Sequence, residues 1–341
     1  MKRSRVLVLV HRDLAPKEGV EAPQVKPEWR MEWDVVAHLR ERGHELMLIE
    51  VHDDLTPIRQ SLDEFKPKIA FNLLESFDDV VVFDQNVVSY LELLRVPYTG
   101  CNPRGLTLAR DKALARKLLS YHRIPTPDFT VVPLRRKPVL PKRLSYPLIV
   151  KSLTYEASAG ISQASVVANE EQLAKRVRFI HETLLTPAIV EQYIDGRELY
   201  VGVLGNQRLK VFPVWEMTFD KMQGHNWRIA TERVKWNVNY QKRHGIDTAE
   251  AKLPEGVSAK VQHLAKRTYR ALELSGYARI DFRLDASGLP YVIEANPNPQ
   301  LAKQEDFAQS ALAAGVTYPV LLERIMGLGV QWQPTRDGSG A

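Results

Sequence analysis

Between Arg5 and Arg95 the chain switches three times from a short apolar run to a segment of helical period. Arg5–Val10, Glu45–Val51 and Lys68–Leu73 carry the apolar runs. Trp29–Arg42, with Met31, Val35 and Leu39 in register and Gly43 as a stop, repeats at the spacing of a helix. A shorter helix is expected over Pro57–Phe65, and another over Val81–Arg95. Strand and helix in alternation can bury their apolar faces in few ways; the favoured one is a parallel sheet covered by helices. The fold class expected is α/β.

After Pro103 the rhythm changes. A helix with a strongly basic face is expected over Asp111–Ser120, then a stiff connector at Ile124–Pro127. Strands are expected at Phe129–Val132, Leu148–Ser152, Gln163–Val167 and Ala188–Tyr193, with a helix over Glu170–Glu182. Between Glu198 and Trp215 two strands are joined at Gly205-Asn206, a hairpin signal. Gln223–Arg233 has the composition of a polar lid. A long helix is expected over Ser258–Leu274, then strands Ala278–Leu284 and Pro290–Ala295 about the turn Asp285–Gly288. Helices at Asp306–Ala313 and Tyr318–Ile325 close the fold.

Bulk properties narrow the function classes. Hydrophobic residues at 44% and charged residues at 26% describe a globular protein, and no apolar run reaches the ~20 residues of a membrane helix. Met1–Val10 lacks the long apolar stretch and cleavage site of a signal peptide. The single cysteine, Cys101, cannot form an internal disulfide, has no histidine beside it to activate it, and suits a reducing compartment. A cytoplasmic location with no membrane partner is expected. The net charge of +6 is spread among acids, so a nucleic-acid partner would rest on charge alone and none is expected.

The chemistry concentrates near the C-terminus. Arg279-Ile280-Asp281 and Glu294-Ala295-Asn296 sit on the two strands that flank the tight turn. Paired as a hairpin, these strands bring Asp281 beside Glu294, and Arg279 shares a face with Asp281. Two carboxylates and an amide oxygen make a hard-oxygen site that suits magnesium; the alternative is a surface hairpin laced with salt bridges. Lys151 ends an apolar strand and precedes a loop of small residues, Glu156–Ser162, whose backbone N–H groups can approach phosphate. It is not a Walker loop. Glu191–Glu198 passes from strand to turn to strand, a place where backbone groups can read an adenine edge. Singly, Lys112 and this turn carry no assignment.

Taken in order, Lys112, Lys151 with its small loop, Glu191 and Glu198, Lys235 after the lid, Arg279-x-Asp281 and Glu294-x-Asn296 resemble the ATP-grasp superfamily. Within it the chain looks most like the D-alanine–D-alanine ligases, over about residues 5 to 326. That resemblance implies a three-domain ATP-grasp fold. Residues 1–104 would be an N-terminal parallel-sheet (preATP-grasp, Rossmann-like) domain. Residues 105–193 and 194–330 would be central and C-terminal α+β subdomains clasping ATP, the second with the metal site. Residues 331–341 would be a disordered tail.

It also implies roles. Lys112 and Lys151 would contact phosphates, under a loop formed by Ser158, Ala159 and Gly160. Glu191, Gln192 and Ile194 would meet the adenine, the last two largely through backbone, and Glu198 the ribose. Lys235 would reach the terminal phosphate. Asp281, Glu294 and Asn296 would hold Mg2+, with Mn2+ as a substitute. Arg279 would neutralise charge on the transferred phosphate and the tetrahedral intermediate. The implied reaction joins a small-molecule carboxylate to an amine through an acyl phosphate. Related ligases are often dimers, so a homodimer is an open possibility.

The sequence departs from the D-alanine pattern in three places. His11-Arg12-Asp13-Leu14-Ala15-Pro16 and Asn72-Leu73-Leu74-Glu75-Ser76 replace the family's glycine-rich N-terminal signatures and their substrate-binding glutamate. Ala157 and Trp236 stand where a serine and a tyrosine are expected. Gln300 replaces a glycine, and Glu305-Asp306 falls where a serine-leucine pair receives the second substrate's carboxylate. Acids there repel a carboxylate and favour an amine-bearing acceptor, so Glu75, Glu305 and Asp306 are the candidate substrate-side residues. Genuine D-alanine–D-alanine ligase activity and a non-catalytic ATP-binding module are the alternatives.

Overall fold

A computed structural model describes residues 3–16, 25–155, 160–221, 227–332 and 334. In its first part, β1 (Arg5–His11), α1 (Arg30–Glu41), β2 (Glu45–Val51), α2 (Thr56–Phe65), β3 (Ile69–Asn72) and α3 (Asp84–Leu93) follow one another. The three strands form a parallel sheet in the order β2-β1-β3. Val6–Val10 is fully buried, as an apolar run covered on both faces should be. Val6, Val8 and Val10 pack with α1, and Leu7 and Leu9 join the opposite core.

The chain continues through α4 (Pro103–Arg110), α5 (Lys112–Tyr121), β4 (Phe129–Val132), β5 (Leu148–Ser152), β6 (Val166–Val167), α6 (Glu170–Phe179) and β7 (Ala188–Gln192). Its strands form an antiparallel sheet ordered β4-β7-β5-β6, with α6 on its core. Then come β8 (Arg197–Leu204), β9 (Lys210–Val211), β10 (Trp215–Phe219), α7 (Glu232–Trp236), α8 (Val238–His244), β11 (Ile246–Glu250), α9 (Val257–Ala271), β12 (Tyr277–Leu284) and β13 (Pro290–Pro297). These strands form a sheet ordered β11-β10-β8-β12-β13, with β9 against β8. The last helices, α10 (Asp306–Ala313) and α11 (Tyr318–Gln331), return to the core beneath the parallel sheet.

Several expectations need correction. The apolar run at Gln163–Val167 is a strand only at Val166–Val167; Gln163–Ser165 is a 3-10 turn. The helix expected over Val81–Arg95 begins as a 3-10 turn and is α-helical over Asp84–Leu93. The helix over Glu170–Glu182 ends at Phe179 and widens into a π turn. α4, α7, α8, β10 and β11 were not anticipated. Glu232 and Arg233, assigned to the lid, open α7, while residues 223–226 of that lid lie outside the described residues. Gln331, assigned to the tail, ends α11, and Trp332 donates from Nε1 to Glu92 (2.9 Å), so the tail's expected start is wrong. Residues 333 and 335–341 lie outside the described residues.

The sheet of β8, β12 and β13 has two unlike faces. Leu199, Val201, Ile280 and Phe282 point into the core with α9 residues such as Val261 and Leu264. Glu198, Tyr200, Arg279, Asp281 and Arg283 alternate with them and face the other way. On β13 strict alternation would put Val292 and Glu294 on one face. A register shift opposite Asp281/Phe282 makes Ile293 a bulge, so Val292 stays in the core while Glu294 and Asn296 join the polar face.

Candidate active site

Asp281 and Glu294 are cross-strand partners, as are Arg279 and Asn296. The hairpin pairing expected from the two triplets is present. Arg279 grips Asp281 with two hydrogen bonds, Nε to Oδ1 at 2.8 Å and Nη2 to Oδ2 at 2.9 Å. Asn296 Nδ2 donates to Asp281 Oδ2 at 3.0 Å. That bond uses the amide nitrogen and leaves the Asn296 carbonyl oxygen as an acceptor beside two carboxylates. The donor set is all hard oxygen, which fits magnesium.

Lysines converge on this acid pair from three elements, α5, β5 and α7. Lys112, at the start of α5, places Nζ 3.1 Å from Glu294 Oε1 and donates to the Tyr155 carbonyl at 2.7 Å. Lys151 reaches Glu191 at 2.9 Å. Burial raises the Glu294 carboxyl, but Lys112, Lys235 and Lys151 outweigh it and hold it at about 2. Asp281 moves the other way: burial raises it, and the Arg279 guanidinium only partly offsets this.

The basic face expected on α5 turns Lys112 and Arg116 into the protein. Lys112 and Arg116 lie one helical turn apart, and both face inward. Arg116, nearly inaccessible, donates from Nε to Glu191 (2.9 Å) and from Nη2 to the Ile293 carbonyl. The bulged residue of β13 is thereby tied to β7. Burial raises Glu191, yet Arg116 and Lys151 hold it below the usual carboxylate range.

Two cavities meet at Lys235. The first lies between the two antiparallel sheets, with apolar walls at Ile149, Ile161, Ile229 and Ile293. Lys151, Glu191–Ile194, Glu198, Asp281 and Glu294 complete it. Gln192 turns its side chain away, to the Pro147 carbonyl and the Ser145 N–H, so it offers the cavity its backbone. The Ile194 carbonyl accepts from Arg283 Nε at 3.1 Å. Glu198 accepts from Tyr200 Oη (2.9 Å) and pairs with Arg283 Nη1 (3.0 Å). Gly160, at the end of the small-residue loop, gives its carbonyl to Arg176; Ser158 and Ala159 lie outside the described residues.

The second cavity, about 550 Å³, opens on the far side of Lys235. Glu75, Glu305 and Asp306 all line it, together with Arg279, Asn296 and Gln300. Burial and the neighbouring Asp306 raise the Glu305 carboxyl. Behind Glu75, Glu32 of α1 is 1% exposed, and neither of its carboxylate oxygens has a hydrogen-bond partner among the described residues. Burial pushes Glu32 up to about 8, with a contribution from Glu75. Cys101 is buried and burial pushes its thiol up to about 12, which removes it as a nucleophile.

Arg116, Arg283, Arg110 and Glu32 were missed in the sequence. Arg283 had a signal: Arg279, Asp281 and Arg283 alternate on one strand, so all three share the polar face. Arg116 had one too, four residues beyond Lys112 on a helix. Glu32 and Arg110, which lines the second cavity, had none.

A family profile described as the D-ala D-ala ligase C-terminus matches residues 118–327. The chain is 32% identical to the uncharacterized protein y4sG of Sinorhizobium fredii, over 90% of this chain and 89% of that protein. It is 31% identical to the D-alanine–D-alanine ligase of Bordetella avium, over 71% of this chain and 73% of that one. The crystal structure of the Bacillus anthracis D-alanine–D-alanine ligase complexed with ATP superposes with a TM-score of 0.74 at 22% identity, covering 96% of this chain and 98% of that chain. This last likeness is one of fold. With the profile spanning more than half its length, the chain belongs to the D-alanine–D-alanine ligase family of ATP-grasp enzymes.

Proposed function

We propose that this protein is an ATP-dependent carboxylate–amine ligase that works through an acyl phosphate. The observation that carries this is the convergence of Lys112, Lys151, Lys235 and Arg279 on one acid pair, Asp281 and Glu294, at the junction of two cavities. Cations gathered there suit a polyphosphate better than a fold needs for its own sake. The first cavity takes the nucleotide. Adenine lies between Ile149, Ile161, Ile229 and Ile293, read by the Glu191–Ile194 backbone, and Glu198 meets the ribose. Lys112 and Lys151 hold phosphates, and Lys235 reaches the terminal one.

Asp281, Glu294 and Asn296 would hold Mg2+, or Mn2+ in its place, which supplies charge neutralisation at the phosphates. In the first step a substrate carboxylate oxygen attacks the γ-phosphorus and ADP leaves. In the second an amine nitrogen attacks the acyl carbon, inorganic phosphate leaves, and the nitrogen gives up a proton. The protein's part is positioning and charge: Arg279 sits where negative charge builds on the transferred phosphoryl group and the tetrahedral carbon.

The second cavity takes the acids and amines being joined. Its volume lies within the ~300–1,000 Å³ of ordinary small-molecule pockets. Glu75, Glu305 and Asp306 on its wall favour an amine-bearing acceptor over one recognised by its carboxylate. The substrate pair therefore differs from two D-alanines.

The test is phosphate release with Mg-ATP across amino acids, dipeptides and polyamines, with mass spectrometry of the products. A new amide formed with ADP and phosphate supports the ligase. Turnover with D-alanine alone would restore the D-alanine–D-alanine ligase named in the relatives. Tight Mg-ATP binding with no product across the panel would favour a nucleotide-binding module.

A further inference from the structure

Away from the two cavities, His11 is the last residue of β1 and lies opposite Val51 on β2. His52 follows directly, so two imidazoles meet at the C-terminal edge of the parallel sheet, where α/β folds collect ligands. His11 Nε2 and His52 Nδ1 are 3.2 Å apart. Asp79 Oδ1 lies 3.5 Å from the first and 3.8 Å from the second. These three atoms all lie within 4.8 Å of one another.

The turn that supplies Asp79 is built for the purpose. Phe77 and Val80 exchange backbone hydrogen bonds, and the two residues between them, Asp78 (φ 52°) and Asp79 (φ 56°), are both left-handed. Consecutive left-handed residues other than glycine cost energy and persist where the surroundings hold them. Here the Asp78 N–H is anchored to the His52 carbonyl at 2.7 Å. One ligand-bearing residue thus fixes the turn that carries another.

We propose that His11, His52 and Asp79 bind a divalent transition ion of the zinc class. Zinc–nitrogen bonds of about 2.0–2.1 Å at tetrahedral angles put two nitrogens roughly 3.3 Å apart, close to the spacing seen. The carboxylate needs to close by only a few tenths of an ångström, which its exposed turn permits. Two imidazoles and one carboxylate leave a fourth position open, as in zinc sites that keep a water. Imidazole selects against magnesium, so this site and the oxygen site at Asp281 take different ions. The other ring nitrogen of His11 accepts from the Asp13 backbone N–H at 3.4 Å, with the Asp13 carboxylate 3.7 Å away; metal at Nε2 would move the ring proton to Nδ1, where that carboxylate can take it as a second-sphere partner. The loop so pinned also carries Glu75 into the second cavity.

The experiment uses the full chain, stripped with chelator and titrated with Co2+ and Zn2+ without nucleotide. One equivalent of Co2+ is expected to give the intense visible bands of a tetrahedral nitrogen–oxygen site, and Zn2+ to bleach them. His52→Gln and Asp79→Asn should each weaken binding by at least about tenfold. Asn tolerates the left-handed backbone at 79, so this variant keeps the fold, checked by circular dichroism. Asp281→Asn should leave the bands unchanged. Absence of the bands, or bands lost in Asp281→Asn but kept in the other two variants, overturns the proposal and leaves a plain hydrogen-bonded His–His–Asp cluster.

Discussion

Asp281 and Glu294 face each other across β12 and β13, yet the protein pushes their carboxyls in opposite directions. Arg279 and Asn296 hold Asp281 in a buried niche, while Glu294 answers to three lysines. The pair therefore shares a site without sharing a proton. With its carboxyl held at about 2, Glu294 is ionised at neutral pH, as a metal ligand requires.

The Glu294 carboxyl, held at about 2, lies below its unfolded value of 4.5. Such a group contributes stability that is present above pH 4.5 and lost as pH falls through about 2. The denaturant midpoint of wild type relative to Glu294→Gln should therefore fall between pH 5 and pH 3. A pH-independent difference would count against the lysine field. The same variant should lose about 10²–10³ in turnover.

Arg283 ties together Glu198, the Ile194 carbonyl, Tyr193 Oη and the Arg228 carbonyl. It acts as a positioning residue for the nucleotide cavity, with no part in bond making. Arg283→Lys keeps the charge and loses the planar fork, so KM for ATP should rise about 10- to 100-fold with kcat changed far less. Arg283→Met should destabilise the protein, because it leaves Glu198 buried without its cation. Adding Glu198→Gln should recover much of that stability while leaving nucleotide affinity weak. Equal losses in both quantities would make Arg283 a plain core residue.

The acid hairpin was legible because both triplets flank one tight turn, and a turn fixes register. The same pattern held a clue to the bulge: Val292 and Glu294 cannot both be satisfied on one face of a regular strand. The parallel sheet was legible because β1 is apolar without interruption. β11 was not, because Ile246–Glu250 is an edge strand with a mostly exposed face, held by backbone bonds to β10 and with little apolar pattern of its own. Arg116 was hidden by its charge. A basic helix face usually meets water, and only the folded chain shows Glu191 and Ile293 waiting for it. Glu75, Glu305 and Asp306 were singled out by asking what replaces an expected motif, and the fold brings them to one cavity, whereas Glu32 sits inside a helix that looks purely structural.

Glu32 offers a pH test. Burial raises it to about 8 from an unfolded value of 4.5, so its contribution to stability is fully present below pH 4.5 and lost as pH rises through 8. Glu32→Gln removes the ionisation. The unfolding free energy of this variant should draw level with wild type at pH 4.5 and exceed it by pH 9, with a difference on the order of a few kcal/mol.

If the protein is the ligase proposed above, the acids at the mouth of α10 should select its acceptor. Glu305 caps the helix without a side-chain hydrogen bond to it, and Asp306 occupies its first turn. A first-turn acid favours the helix by about 0.3–1 kcal/mol, so neutralising Asp306 should cost little stability. Its effect on selectivity should be larger. In Glu305→Gln/Asp306→Asn, kcat/KM for an amine-bearing cationic acceptor should fall about tenfold or more relative to a neutral one, because each lost charge pair removes on the order of 1.4 kcal/mol. Glu305→Lys should go further and admit an acceptor that carries a free carboxylate, with D-alanine as the probe. The comparison to make is the ratio of phosphate-release rates for a diamine and for D-alanine in wild type and both variants. A ratio that does not move would confine these acids to helix capping and return the choice of acceptor to Glu75, which lines the same cavity.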